Sequence, residues 1–219
     1  MDSRHFYTLE GKELMPRTDG ARFLVFEGID GSGKSTAAKL LYERLNNEGF
    51  RVILTKEPSL ATEAGKKIRE ILTGKMQASV RERQQLFTDD RKEHLERVIM
   101  PALKEGKVVI SDRYFFSTLA FGAGTGVDLE WLVEINKNFV MPDIAFLITV
   151  SPQVGLQRIR SRGQGAELHD KLGILERVGE AYAALAVRFP NIKFVNGERS
   201  IEEVSQEIIS LTNTPEKEA

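Results

Sequence analysis

An apolar, β-favouring run, Phe23-Leu24-Val25-Phe26-Glu27, stops at three glycines within six residues, and Lys34-Ser35-Thr36 then opens a helix-forming stretch over residues 37–45. Residues 28–35 fit G-x-x-x-x-G-K-[ST] at every fixed position, and each fixed residue has a physical task. The glycines let the backbone turn and bring successive N–H groups round a polyphosphate, at the positive end of the helix that follows. The strand before and the amphipathic helix after separate this pattern from a chance glycine-rich turn. Gly28, Ile29, Asp30, Gly31, Ser32, Gly33, Lys34, Ser35 and Thr36 are therefore the expected polyphosphate site, with Lys34 reaching the β and γ phosphates of ATP and the Ser35 hydroxyl on Mg²⁺.

Four further strand-like runs follow, at residues 50–55, 107–111, 144–150 and 192–195, alternating with stretches of helical spacing. Their apolar residues do not alternate, as parallel strands covered on both faces require. The pattern predicts an α/β fold: a five-stranded parallel sheet with helices on both faces. Helices are expected over residues 62–72, 80–104 with a kink at Pro101, 128–139 and 172–189, with a last one carrying Ile201, Val204, Ile208 and Leu211. The glycine-rich residues 122–126 read as a flexible joint.

Two strand ends carry chemistry. Glu57, followed by Pro58, and Asp112-Arg113 both fall at the carboxyl edge of the sheet, where open α/β sheets bind ligands. An acid after a buried strand beside a phosphate loop is the Walker B arrangement, so Asp112 joins Ser35 as a metal residue, and Arg113 is placed to fork onto phosphate oxygens. Arg158, Arg160 and Arg162 precede a polar loop bounded by Gly163 and Gly165. They either stabilise a helix C-terminus or ride a lid that swings an arginine onto the transferring phosphoryl group.

Composition bounds the rest. The 219 residues carry a formal charge of −1, so no global field draws the chain to nucleic acid or membrane and any anion site is local. There is no cysteine, which removes disulfides and thiolate chemistry and fits a reducing cytoplasm. No apolar run has the roughly 18 residues of a membrane span, and residues 1–21 lack the apolar core of a signal peptide. Residues 1–21 read as an N-terminal extension, either disordered or pinned by His5, Phe6, Tyr7 and Leu9, and residues 214–219 as a frayed tail.

Several landmarks fall in order: the phosphate loop from Phe26, Thr55-Lys56-Glu57-Pro58, Leu86-Phe87 with Arg91, Asp112-Arg113-Tyr114 with Ser117, and Pro142-Asp143. Together they resemble the thymidylate kinases, in the nucleoside monophosphate kinase branch of P-loop proteins, over about residues 22–211. The resemblance implies a single kinase domain over residues 22–213 with a small lid at about 158–171, and transfer of the ATP γ-phosphoryl group to dTMP with Mg²⁺. It also implies a homodimer, to which the absence of cysteine adds a cytoplasmic location. Carried onto this chain, Lys34, Asp112, Arg113, Arg158 and Arg162 become the catalytic set. Asp30 bonds the acceptor sugar and Glu57 lies near its phosphate and the metal. Phe87 stacks on the pyrimidine, while Arg91 and Thr118 read its edge. Arg69 and Arg113 grip the 5′-phosphate beside Ser117, and Phe121 crowds the place of a ribose 2′-hydroxyl.

The chain departs from the family's usual strings in three places. Lys56 stands for Arg before Glu-Pro, Phe121-Gly122 for Tyr-Gln, and Glu167-Leu168 for the lid's Asp-Arg. Three readings compete with a dTMP kinase. The first, a kinase of another pyrimidine nucleotide or of a deoxynucleoside, shares the sheet, but Arg69 and Arg113 favour an anionic acceptor. The second is a low-activity homologue that binds the same nucleotides. The third is a guanine-reading switch, disfavoured because Asn136-Lys137-Asn138 lacks the closing acid.

Overall fold

The computed structural model describes residues 4–59, 61–161 and 169–212. The chain runs β1 (His5–Tyr7), β2 (Glu13–Pro16), β3 (Arg22–Glu27), α1 (Lys34–Asn47), β4 (Val52–Lys56), α2 (Glu63–Leu72), α3 (Val80–His94), α4 (Met100–Lys104), β5 (Val108–Asp112), α5 (Phe115–Gly124), α6 (Leu129–Asn136), β6 (Ile144–Thr149), α7 (Pro152–Ser161), α8 (His169–Arg188), β7 (Ile192–Asn196) and α9 (Ile201–Thr212). The last five strands form a parallel sheet in the order β4-β5-β3-β6-β7.

Side chains of successive strand residues point to opposite faces, and here both faces are dry. Phe23 and Val25 of β3 join a core with α5 and α8 residues, whereas Leu24 and Phe26 pack with Ala37, Leu41 and Ile208 from α1 and α9. This double cover accounts for the unbroken apolar runs. The chain fills the sheet on one side of β3 with β4 and β5, then crosses to β6 and β7, so the end of β3 is the point where strand order reverses. Register pairs Phe26 with both Asp112 and Phe146, and Lys56 with Asp112. The residues that leave β3, β4 and β5 therefore emerge side by side at one edge, the place such sheets reserve for ligands.

One local expectation is corrected and another refined. The stretch over residues 122–126 is no joint: α5 continues to Gly124. Gly122 and Gly124 serve helix packing instead, since a Cβ on Gly122 would lie 2.6 Å from Leu132 Cδ1 and one on Gly124 would lie 2.8 Å from Val178 Cγ2. The long third helix runs on to Lys104 as expected, and its distortion is a π-helical turn over Leu95–Ile99, just before Pro101, in which Met100 N–H donates to the Leu95 carbonyl. Proline has no N–H to give and its ring crowds the preceding turn, so a widened turn is the accommodation.

Residues 4–21 are pinned to the body. β1 and β2 pair as an antiparallel hairpin, Leu9 N–H donates to Phe139 O at 2.9 Å, and Met141 N–H to Tyr7 O at 2.7 Å. Arg17 lies 3.9 Å over the Phe6 ring and forks onto Asp143 with contacts of 2.6 and 3.0 Å. Phe6 is 1% exposed. Removing a buried phenyl leaves a cavity, so Phe6→Ala should destabilise the fold by about 3–5 kcal/mol in urea unfolding. An unchanged midpoint would mean that the hairpin carries no stability.

Candidate active site

The phosphate loop is built on backbone that only glycine adopts without strain. Gly28 and Gly31 have φ of 140° and 82°, in the left-handed half of the map. A Cβ on Gly31 would sit 2.2 Å from Gly155 O. Lys34, the first residue of α1, folds back over the loop, with Nζ 3.3 Å from Ile29 O and 3.8 Å from Asp30 Oδ1. It is 7% exposed. Burial, with the Arg113 charge adding to it, pulls its pKa down to about 8 from 10.5, and Asp30, Asp112 and Glu27 oppose the shift.

Ser35 Oγ donates to Asp112 Oδ2 at 2.5 Å, and Lys56 Nζ reaches the same oxygen at 3.3 Å. The other carboxylate oxygen, Oδ1, is buried and has no partner among the described residues. Arg113, next along, has φ 76°, the one positive φ outside glycine among the described residues. Such strain persists only where surroundings fix it. Here the Arg113 N–H donates to Phe26 O at 2.9 Å, and its guanidinium donates to Gly28 O at 3.3 Å, Ser117 Oγ at 2.8 Å and the Asp30 carboxylate.

On one side of the loop opens a cavity of about 400 Å³, and Asp30, Glu57, Phe87, Arg91, Arg113, Ser117, Thr118 and Phe121 all line it. Leu72, Leu156, Ile159 and Leu175 give it apolar walls. Arg113 stacks 5.1 Å from the Phe121 ring centre. Arg91 is 1% exposed. Its Nε donates to Glu57 Oε2 at 2.7 Å, Nη1 to Asn136 Oδ1 at 2.7 Å and Nη2 to Thr118 Oγ1 at 3.1 Å. A guanidinium has five N–H donors, and two of these five find no acceptor among the described residues. Glu57 is held from both ends, because His94 Nδ1 lies 3.2 Å from Oε1 while His94 Nε2 lies 2.6 Å from Thr55 Oγ1.

On the other side lies a second cavity of about 310 Å³, lined by Ser32, Gly33 and Thr36 of the loop and by Arg158, Gly197 and Arg199. Arg158 Nη2 donates to Gly197 O at 3.0 Å and Nη1 approaches Ser32 O at 3.4 Å. The phosphate loop is thus a wall shared by two pockets.

Not every expected residue is in a wall. Arg69 is exposed on α2, one turn before Leu72, so its guanidinium stands outside the larger cavity. Arg160 points to solvent. Arg162, with the expected lid tip around Glu167-Leu168, lies outside the described residues. Conversely, sequence reasoning passed over Glu27, His94, Asn136 and Tyr182. Glu27 accepts hydrogen bonds from Tyr114 N–H, Ser117 N–H, Ser117 Oγ and Tyr182 OH. Burial raises its pKa, against the Ser117 hydrogen bond and the Arg113 charge. An acid closing an otherwise apolar strand was the available signal for Glu27. For Tyr182 there was none, since 155 residues separate it from its partner.

Comparison with known proteins agrees with this geometry. A sequence model of the family described as thymidylate kinase matches residues 26–208. The probable thymidylate kinase of Thermococcus kodakarensis is 44% identical over 200 residues, covering 88% of this chain and 97% of the relative. The probable thymidylate kinase of Pyrococcus horikoshii is 42% identical over 194 residues, 86% and 94% of the two chains. The thymidylate kinase of Desulfotalea psychrophila is 36% identical over 189 residues, 86% and 92%. With the match spanning the phosphate loop, the larger cavity and the sheet that joins them, this chain belongs to the thymidylate kinase family.

Proposed function

We propose that the chain transfers the γ-phosphoryl group of ATP to dTMP, giving dTDP and ADP, with ATP in the smaller cavity and dTMP in the larger. The observation that carries this is the shared wall: two cavities meet at one phosphate loop, with Arg113 on one side and Arg158 on the other. Two polyanions approaching head to head need charge neutralised and atoms aligned, and little covalent help. Lys34 and the loop amides hold the donor phosphates. Arg113 grips the acceptor phosphate, and Arg69, at the rim, reaches in when that dianion is present. Phe87 supports the base, the two free donors of Arg91 meet its carbonyl edge beside Thr118, and Asp30 takes the sugar hydroxyl.

The donor set also suits Mg²⁺. Asp112 keeps one buried carboxylate oxygen without a partner among the described residues, beside the Ser35 hydroxyl. Mg²⁺ usually takes one or two protein oxygens and completes its shell with phosphate and water. Held there by Asp112 and Ser35, it would offset the charge of the donor phosphates. The proposal includes a homodimer, which follows the family resemblance, in the cytoplasm, which the absence of cysteine fits, and sedimentation across a range of concentrations tests the dimer.

A deoxynucleoside acceptor would need a free carboxylate to take its hydroxyl proton. Of the two acids that line the larger cavity, Glu57 has both oxygens engaged by Arg91 and His94, and Asp30 is paired with Arg113. Initial rates with dTMP, dUMP, CMP and thymidine decide the matter: dTMP is expected to be fastest and thymidine inert. Thymidine turnover would reject the assignment.

Lys34 gives a pH prediction. Only its charged form grips phosphate, and in the free protein its pKa is about 8. ATP affinity should therefore fall above pH 8, approaching tenfold per unit. Binding at pH 9 should take up nearly one proton, visible when calorimetry is repeated in buffers of different ionisation enthalpy. A flat affinity between pH 7 and 9.5 would contradict the role of Lys34.

A further inference from the structure

Glu27 ends the strand that feeds the phosphate loop, and no step described above uses it. It is 1% exposed. Oε1 accepts the N–H groups of Tyr114 at 2.9 Å and Ser117 at 3.2 Å; Oε2 accepts the hydroxyls of Ser117 at 2.5 Å and Tyr182 at 2.9 Å. The two N–H groups belong to the start of α5, whose own N-cap residue, Tyr114, provides no side-chain cap. Helix starts leave such donors orphaned, so Glu27 caps α5 from the neighbouring strand. Tyr182 lies on α8, the helix that leaves the expected lid. One carboxylate thus ties the loop strand, the helix of the acceptor wall and the helix behind the lid.

We propose that Glu27 is a positioning residue for phosphoryl transfer: through Ser117 it orients the Arg113 guanidinium, and through Tyr182 it fastens α8 to the acceptor pocket.

The direction of the hydrogen bonds supports this. Ser117 has a single hydroxyl hydrogen and Tyr182 likewise, and with both spent on Glu27 the Ser117 lone pairs face Arg113 Nη1 at 2.8 Å, while the two hydroxyl oxygens touch at 3.0 Å and close the same cluster. All four of the bonded groups donate, so the ionised carboxylate is the form that satisfies them together. Arg113 reinforces that form electrostatically, against the effect of burial. A glutamine at this position keeps one carbonyl for the backbone N–H groups but presents an NH₂ to Ser117 and Tyr182. Both hydroxyls would then reverse, and the new donor would compete with Arg113 for the Ser117 oxygen. The fold keeps its cap while the relay is inverted.

The inference rests on the acceptor assignment made under the proposed function, and the test separates the two. Glu27→Gln, Tyr182→Phe and the double variant are compared with the wild type for kcat and for KM of ATP and dTMP, alongside thermal melting. Each single change should lower kcat/KM for dTMP by about tenfold, with KM for ATP within about twofold. The double variant should be no worse than the poorer single one, because both cut the same relay. Tyr182→Phe removes only a hydroxyl and keeps the test decisive if Glu27→Gln fails to fold. Kinetic constants equal to wild type with a lowered melting temperature would make Glu27 a structural cap and overturn the proposal. So would effects that multiply in the double variant. A wild-type protein inactive on dTMP but active on another nucleotide would reject the acceptor assignment alone, and the same comparison with that nucleotide then decides the role of Glu27.

Discussion

Replacing Lys34 by Met should lower phosphoryl-transfer turnover by at least about a thousandfold while making the free protein more stable. The first effect follows from the proposed role: the change removes a preorganised charge that would face the β and γ phosphates, where a single donor or cation commonly contributes a hundredfold to several thousandfold. The second follows from burial. The Lys34 pKa of about 8 in the free protein, against 10.5, means that folding disfavours its charged form. The unfolded chain therefore binds more protons between pH 8 and 10.5, so stability rises with pH across that window, and below it the full penalty applies. At pH 7 that penalty is on the order of 3 kcal/mol, and an apolar side chain of similar length avoids it. Urea unfolding of the ligand-free variant should show a raised midpoint, and steady-state ADP release should be near background. A variant that loses activity and stability together would mean that Lys34 is held by its contacts rather than kept at a cost for a ligand.

The second large effect is at Arg91. Arg91→Ala should destabilise the protein by about 3–5 kcal/mol, because it strands the Glu57 carboxylate in the interior. Glu57 is 2% exposed, and among the described residues only His94 would remain as its side-chain partner, while Asn136 and Thr118 would each lose a donor. The same change should abolish measurable dTMP saturation and leave ATP affinity in place. The pair Glu57→Gln with Arg91→Met separates the two roles: without a stranded charge, it should regain much of the stability but none of the dTMP affinity. Recovery of dTMP binding in the double variant would show that Arg91 shapes the cavity without touching the base.

The phosphate loop and the sheet were legible in the sequence because both are local. Loop glycines, Lys34 and Ser35 stand at fixed spacing, and parallel strands announce themselves as unbroken apolar runs between helical stretches. Asp112 and Glu57 were legible because a strand's end is visible from its turn residues. Misreadings arose where a distant partner set the local structure. Gly122 and Gly124 looked like a joint because glycine is permissive, yet each is there so that Leu132 and Val178 can approach. The hairpin of residues 4–21 depends on Phe139, Met141 and Asp143, more than a hundred residues away. Arg91 was singled out by its place among the landmarks and does line the larger cavity, but its bonds to Glu57, Asn136 and Thr118 draw on the turn after β4 and on α6 and α5. The arginine run at 158–162 illustrates the limit: Arg158 is seated on the carbonyls of Ser32 and Gly197, beside the smaller cavity, because α7 passes under the loop at Gly155. Nothing in the run itself distinguishes it from Arg160.

The central claim is that one phosphate loop seats a donor and an acceptor nucleotide in two adjoining cavities. The most direct measurement is binding of a single molecule in which adenosine and thymidine are joined through a polyphosphate bridge. The account predicts one molecule per chain, displaced by ATP and by dTMP alike, with adenine against Arg158 and Gly197 and thymine against Phe87 and Arg91 in a crystal of the complex. Binding that survives saturating dTMP, or a thymine found outside the cavity lined by Phe87 and Arg91, would contradict it.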